Sequence, residues 1–297
     1  MFFVTGATGN VGRELVNLLL AADADVRALT RNPNASGLPA GVDVVGGDLK
    51  QNPRALDGAL DCVTTVFLNP AAIQEPSDFL EHARDRGVKK IVLLSALPVR
   101  DDLPIEDQPG FIARRHKSIE QSIESSDMDW VHVRSNMLMS NAFFELAPQI
   151  RAGDIYRGAY PESTSAPVDE HDVAAVVART MLDDSHSAST YKLTGPQSLT
   201  HREKISIIGD ALGRAIAFEE MTREEAQSML LAAFPVQHSN GLADDHIDTV
   251  FNYMEESIGK PAFVADTVER VTGRPAGTYA QWATRHTAAF RLMPAGV

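Results

Sequence analysis

Met1-Phe2-Phe3-Val4 opens the chain as a short apolar run, and Thr5 to Gly12 follows as TGATGNVG, with glycines at 6, 9 and 12. Leu15, Val16, Leu18, Leu19 and Leu20 then recur at helical spacing, and Val26, Ala28 and Thr30 alternate as a strand does. The pattern predicts strand, glycine turn, helix, strand, which is a βαβ unit. The rhythm continues. Val42, Val44 and Val45 predict a short strand ending in Gly46-Gly47-Asp48-Leu49, followed by a helix from Pro53 to Leu60 and a fourth strand from Val63 to Leu68. A helix over Ser77 to Arg86 stops at Gly87, and Ile91 to Leu97 is apolar enough to be buried on both faces of a parallel sheet. Asp101 to Pro109 is acidic and proline-containing, so it reads as a loop over the crevice, with a helix from Phe111 to Ser125 behind it.

A glycine turn between a strand and a helix has a specific chemical use. A side chain there would obstruct the approach of a pyrophosphate, and the helix offers the anion its unpaired N–H groups and the positive end of its dipole. Gly6, Thr8, Gly9, Asn10, Val11 and Gly12 are therefore expected to hold a dinucleotide. The second strand ends in Leu29-Thr30-Arg31-Asn32, with a cation where an NAD-selective site carries an acid, so Arg31 favours NADP over NAD. At the other strand ends, Asp48 and Leu49 are placed to meet the adenine, and Asn69 and Pro70 to flank the nicotinamide ribose.

Further along, Asn141 to Arg151 predicts a helix kinked at Pro148, Gly153 to Ser165 is turn-rich, and Glu170-His171-Asp172 leads into an apolar helix, Val173 to Leu182. Asp172 reads as a helix N-terminal charge. Phe143, Phe144, Tyr156 and Tyr160 lie near the expected crevice, where substrate contact and simple packing are both open. A smaller lobe is expected to begin at Tyr191-Lys192-Leu193-Thr194-Gly195-Pro196. In it, Thr200 with Glu203 and Thr222 with Glu225 have capping-box spacing, and Gln237 to Gly241 forms a polar turn. His238 or Tyr253 could stand in as an acid, a surface loop and a core tyrosine being the plainer readings. Trp282 and Phe290 suggest a last helix docked on the body.

The domain assignment is a nucleotide-binding domain over 1–155, to which 166–190 returns, and a substrate lobe over 191–297. A net charge of −13 over 297 residues, with no basic tract, argues against nucleic acid or an anionic membrane as partner. Cys62 is the only cysteine, which excludes an internal disulfide and a cysteine-rich metal site. With the first strand starting at Phe2, no leader is legible, and a cytoplasmic protein is expected.

The TGATGNVG start, Asp48-Leu49, the Ser95-Ala96 strand end, His116-Lys117 followed by Glu120, and Trp130 to Arg134 leading to Asn141 together resemble the NmrA-like group of atypical short-chain dehydrogenases/reductases; Leu193-Thr194-Gly195-Pro196 adds to the match. The resemblance covers most of residues 1–220. It implies an α/β fold, a Rossmann doubly wound parallel sheet with a second, smaller α/β substrate lobe closing a cleft. It also implies one of two functions: an NAD(P)H-dependent reductase of quinones, azo dyes or related aromatics, or a redox sensor that binds the dinucleotide without turnover. A tailoring enzyme of aromatic polyketide biosynthesis is a third reading. The expected partner is a small aromatic or quinone substrate, and a homodimer is admissible.

One departure bears on mechanism. In ordinary short-chain dehydrogenases a tyrosine four residues before the lysine donates the proton, yet Ala113 holds that place before Lys117, and no tyrosine lies between residues 1 and 155. Lys117 is still expected to bond the nicotinamide ribose and to add positive potential, with Ser95 beside it. His116 and Glu120 are spaced to give either a carboxylate-oriented imidazole as proton donor or a solvated pair on the helix surface, and without a third ligand they make no metal site. A quinone oxygen that gains charge becomes a phenolate, far less basic than an alkoxide, so a conjugated acceptor suits a site with no tyrosine.

Overall fold

Residues 1–51, 58–233 and 242–291 are described by a computed structural model, with backbone alone at 233 and 242–246. In the first half the elements run β1 (Phe2–Val4), α1 (Asn10–Ala21), β2 (Val26–Thr30), β3 (Asp43–Gly46), β4 (Thr65–Leu68), α2 (Ser77–Asp85), β5 (Lys90–Ala96), α3 (Gly110–Glu124) and β6 (Asp129–Ser135). Next come α4 (Ala142–Glu145), α5 (Ala147–Ala152), β7 (Ile155–Gly158), β8 (Thr164–Ser165), α6 (Glu170–Leu182) and β9 (Ser189–Leu193). The last part holds β10 (Leu199–Thr200), α7 (His201–Leu212), β11 (Ala217–Glu220), α8 (Arg223–Ala233), α9 (Leu242–Glu256), α10 (Thr267–Thr272) and α11 (Tyr279–Arg285).

Seven strands form one sheet in the order β3-β2-β1-β4-β5-β6-β9, every pairing parallel. The chain moves from β1 to β2 on one side and later to β4 on the other. The order therefore reverses between β1 and β4, which is where open α/β sheets bind ligands. Alternation along the strands builds two layers. Val4, Phe67 and Val92 meet Leu15, Val16 and Leu19 of α1 and Val173, Val176 and Val177 of α6 on one face. Phe3, Val66, Leu68, Ile91 and Leu93 meet Phe79, Leu80 and Ala83 of α2 and Ile119 and Ile123 of α3 on the other. Burial on both faces explains why β4 and β5 read as continuous apolar runs. Lys90 is the buried charge in these two strands, and its ammonium donates to the carbonyls of Thr180 at 2.7 Å and Asp183 at 3.2 Å, at the carboxyl end of α6 where a cation is favoured.

The smaller lobe packs around Met139, Leu146, Ile150, Tyr156, Ile205, Trp282 and Phe290. Two small pairs of strands frame it, β7 with β11 in parallel and β8 with β10 antiparallel. The amino end of α6 fastens the C-terminal segment. Asp169 caps the helix through the His171 N–H at 3.0 Å and takes Arg285, Glu170 accepts the Trp282 indole N–H at 3.1 Å, and Asp172 accepts from Arg274 at 2.6 Å and from the Gly277 N–H at 2.7 Å. The last helix is thus docked, and Trp282 and Phe290 are fully buried. Both capping boxes form, Thr200 with Glu203 and Thr222 with Glu225.

Three local expectations need correction. The segment that was to open the second lobe at Tyr191 belongs to β9, the seventh strand of the main sheet. Gly153 to Ser165 contains β7 and β8, too short to carry a pattern of their own. The helix expected over 141–151 is two short ones, because Pro148 has no N–H for the carbonyl of Phe144. The helix expected over Pro53–Leu60 falls mostly outside the described residues, as does the polar turn containing His238.

Candidate functional site

β1 runs directly into the glycine turn, which is tied to the end of β4. The Thr5 hydroxyl donates to the Phe67 carbonyl at 3.0 Å and accepts the Asn69 N–H at 2.8 Å. Gly6 has φ +62°, and a Cβ there would lie 2.7 Å from Asn69 Nδ2. A Cβ on Gly12 would lie 2.2 Å from the Gly6 carbonyl oxygen, so the turn closes only because Gly12 has none. Gly9 is different. The nearest atom to an added Cβ is Gly6 O at 3.3 Å, with nothing else within 4 Å. Gly9 also begins α1 with extended backbone, no side chain capping the helix and no acid in its first turn. The N–H groups of that turn have no side-chain acceptor, and the cradle is one a side chain would fill, so the site fits a pyrophosphate.

Around this turn Thr8 and Asn10 are exposed, whereas Val11 is buried against the sheet. Arg31 is exposed just beyond β2. Sequence reasoning overlooked Arg13, whose guanidinium donates to the carbonyls of Gly37 at 2.7 Å and Ser36 at 3.2 Å and so ties the loop after Arg31 to α1. Its only signal in the chain is a cation directly after the last glycine. Asp48 accepts the Lys50 N–H at 3.0 Å in a turn, while the Leu49 side chain lies in the core and leaves only backbone for a ligand. Asn69 accepts the Ala71 N–H at 2.9 Å through Oδ1. Arg115 of α3 holds the segment that follows, donating to the carbonyls of Pro70 at 2.8 Å and Ile73 at 2.6 Å.

The inner face of α3 carries a buried charge network. Glu120, with no exposed surface, accepts from Ser95 at 2.6 Å and from Arg134 at 2.9 and 2.7 Å. Arg134 also donates to both oxygens of Asp101, at 3.0 and 2.6 Å, which pins the loop between β5 and α3. The Arg134 hydrogen bonds hold the Asp101 carboxyl below its usual range. Lys117 is buried, with its ammonium 3.9 Å from Asp101 Oδ1. The carboxylate expected to orient His116 is therefore engaged by Ser95 and Arg134. His116 Nδ1 is buried without a partner, and burial pushes this imidazole down to about 4, so it is neutral at pH 7. Glu120, Glu124 and His132 bring ligand atoms within 4.8 Å of one another, but the Arg134 guanidinium already holds both Glu120 oxygens and opposes a further cation.

Ala113, at the place of the absent tyrosine, is fully buried. Of the aromatics near the expected crevice, Phe143 packs on Trp282 and Tyr156 on His201 and Phe218, so both rings pack in the lobe. Tyr160 donates to Glu255 at 3.2 Å, and Phe144 and Tyr253 are about half exposed. No helix among the described residues is long and apolar enough to cross a membrane.

Comparison with known proteins agrees with this geometry. Residues 6–184 match a family described as NAD(P)H-binding. The chain is 35% identical to a (4-alkanoyl-5-oxo-2,5-dihydrofuran-3-yl)methyl phosphate reductase of Streptomyces griseus subsp. griseus, covering 98% of this chain and 99% of that protein. It is 31% identical to an NAD(P)H azoreductase of Xenophilus azovorans, with the same coverage. In fold it resembles an NADPH-dependent quinone oxidoreductase of Escherichia coli complexed with NADPH, with a TM-score of 0.78 at 22% identity over 96% of this chain and 99% of that one. The chain belongs to the NAD(P)H-binding family and is an NAD(P)H-dependent oxidoreductase.

Proposed function

We propose that this oxidoreductase reduces an electron-poor conjugated acceptor, a quinone or a related aromatic compound, with NADPH as the preferred donor. The observation that carries the proposal is Ala113: the place of the usual proton-donating phenol holds a fully buried methyl group. A simple ketone would need a strong local acid as hydride adds, because its product is an alkoxide. A conjugated acceptor spreads the added electron pair and ends as a phenolate or enolate that a modest acid or water can protonate. The two relatives above 30% identity support the class. An azo compound and a dihydrofuranone conjugated to two carbonyl groups are both electron-poor π systems.

Bound reduced nicotinamide supplies the hydride. The chain supplies position. Gly6, Thr8, Gly9, Asn10, Val11 and Gly12 take the pyrophosphate, and Arg31 takes the 2′-phosphate. Asp48 and the Leu49 backbone border the adenine; Asn69, Pro70 and Ser95 line the nicotinamide end. Lys117 contributes positive potential there, tempered by Asp101. His116, neutral, offers at most an N–H donor.

The test is NADPH oxidation by purified protein with menadione, an azo dye and cyclohexanone. Turnover on the conjugated acceptors and none on cyclohexanone is expected. Faster turnover of cyclohexanone, or none on any acceptor, overturns the proposal.

A further inference from the structure

The smaller lobe gathers titratable side chains that neither the glycine turn nor the α3 network uses. Glu145 ends α4, Tyr156 lies in β7, Lys204 in the first turn of α7, and Tyr279 begins α11. These segments are spread over residues 145 to 279, yet Glu145 lies within electrostatic reach of the other three, and the two phenols of each other. Lys204 Nζ donates to Ser165 Oγ of β8 at 2.9 Å. Tyr156 and Tyr279 are 6% and 2% exposed, and Met139, Leu146, Ile150, Leu199 and Trp282 form the apolar surroundings. His201 packs edge-on against Tyr156 from α7.

Among the described residues neither phenol hydroxyl nor the Glu145 carboxyl has a hydrogen-bond partner, yet none of their oxygens is sealed from solvent. Partly buried polar groups normally find partners, so three unpartnered ones beside an ammonium describe a place that a polar ligand completes. Its position fits a substrate. The segment carrying Glu145 leaves the carboxyl end of β6, where the Met139 N–H bonds the Val168 carbonyl at 2.8 Å. It therefore starts at the same end of the sheet as the glycine turn, the end where ligands lie.

The chemistry of the set is also one-sided. Burial pushes the Glu145 carboxyl and both phenols up, towards their protonated forms, and pushes the Lys204 ammonium down, a shift that the Glu145 charge opposes. The group offers donors, which suits an oxygen that gains negative charge. We propose that Glu145, Tyr156, Lys204 and Tyr279 grip the carbonyl oxygen of a conjugated carbonyl substrate and supply its proton. The inference rests on the reading of this chain as a reductase of conjugated acceptors. In the reaction one C–H bond of the reduced nicotinamide breaks as a C–H bond forms on the acceptor. The displaced electron pair comes to rest on the gripped oxygen. A proton from the cluster forms the new O–H bond, and water reprotonates the donor.

Trp282 lies 5.4 Å from Tyr279, ring centre to ring centre, so its fluorescence reports on the recess without any need for turnover. In a Trp130→Phe background it is the sole indole. Menadione is the probe, with Tyr279→Phe, Tyr156→Phe and Glu145→Gln as variants; circular dichroism selects those that fold, and Tyr156→Phe serves if Tyr279→Phe does not. The expected result is saturable quenching of Trp282 by menadione, weakened in the variants, together with a loss of turnover approaching 100-fold in Glu145→Gln, the scale of one general acid. NADPH binding should be unchanged. Folded variants that bind and reduce menadione as the parent does overturn the inference and leave the proposed function standing. A parent that reduces no acceptor, yet shows quenching that the variants weaken, overturns the proposed function and keeps the recess as a carbonyl site.

Discussion

Alanine at Gly12 and alanine at Gly9 should fail in different ways. At Gly12 the new methyl would lie 2.2 Å from Gly6 O, 2.8 Å from Gly6 C and 2.9 Å from Ala7 Cα. All three are backbone atoms of the turn, none can rotate away, and the turn must open. Overpacking of this kind costs about 1–3 kcal/mol. At roughly 2–4 °C per kcal/mol for a chain of this size, Gly12→Ala should melt about 2–12 °C below the parent and lose NADPH as well. At Gly9 the nearest contact is 3.3 Å, to a single atom, and the backbone is extended. Gly9→Ala should therefore keep its melting temperature while its methyl stands where the pyrophosphate approaches. A weakening of NADPH binding by at least about tenfold, or about 1.4 kcal/mol, is expected. Differential scanning fluorimetry reads the first quantity and NADPH fluorescence titration the second. Gly9→Ala binding NADPH as tightly as the parent would refute the placement of the pyrophosphate. An unchanged melting temperature for Gly12→Ala would refute the steric argument.

Acid should destabilise the fold through imidazoles that burial keeps neutral, His116 and His201 foremost. Burial pushes His116 down to about 4 and His201 to about 3, so between those values and 6.5 the unfolded chain binds protons that the fold refuses. Their contribution is complete above the unfolded value and lost as pH falls through that window, at up to about 1.4 kcal/mol per pH unit for each. Urea midpoints that stay flat between pH 6.5 and 4 would contradict this. Glu120→Gln leaves a buried guanidinium short of its main partner and should cost about 3–5 kcal/mol, most of it recovered in Glu120→Leu/Arg134→Met; a single variant as stable to urea as the parent would count against the network. Arg31→Ala should weaken NADPH binding by about 1.5–3 kcal/mol and leave NADH unchanged, as loss of a charge-assisted bond to phosphate does. Arg13→Met should shift selectivity in the same direction, because the loop after Arg31 loses its tie to α1. Equal effects on both dinucleotides would remove Arg31 from the 2′-phosphate.

The parts of the fold that could be read from sequence are those whose energetics are local or repetitive. Val66 to Leu68 of β4 and Ile91 to Leu93 of β5 are apolar because both faces are covered, and the glycine turn announces itself because backbone must meet backbone there. β9 was hidden for the opposite reason. It is an edge strand with alternating exposure, and Tyr191 and Lys192 look like lobe residues until the pairing with β6 is known. β7 and β8 have partners far along the chain. Within the site, helical spacing grouped His116, Lys117 and Glu120 on α3, but Arg134 from β6 and Asp101 from a loop decide where Glu120 points. Arg13 acts on carbonyl oxygens, which every residue has, so no pattern of side chains could reveal its target.

The loss of the tyrosine is part of a wider rebuilding of α3. Ser95 at the end of β5 gives its hydroxyl proton to Glu120, and Glu120 spends both oxygens on Arg134 as well. Arg134 passes the connection to Asp101, whose Oδ1 also lies 3.9 Å from the Lys117 ammonium. The helix face that carries proton chemistry in a Tyr-Lys site thus anchors the β5–α3 loop here, and its buried carboxylate is matched by a buried cation rather than left ready to accept a proton. A helix committed in this way can hold a dinucleotide in place but has little to offer an alkoxide. The acid has to come from water or from another lobe, and the acceptor has to be one that tolerates a weak acid. Both consequences favour a conjugated substrate, and they make the donor cluster around Glu145 and Tyr279 the place to look for its oxygen.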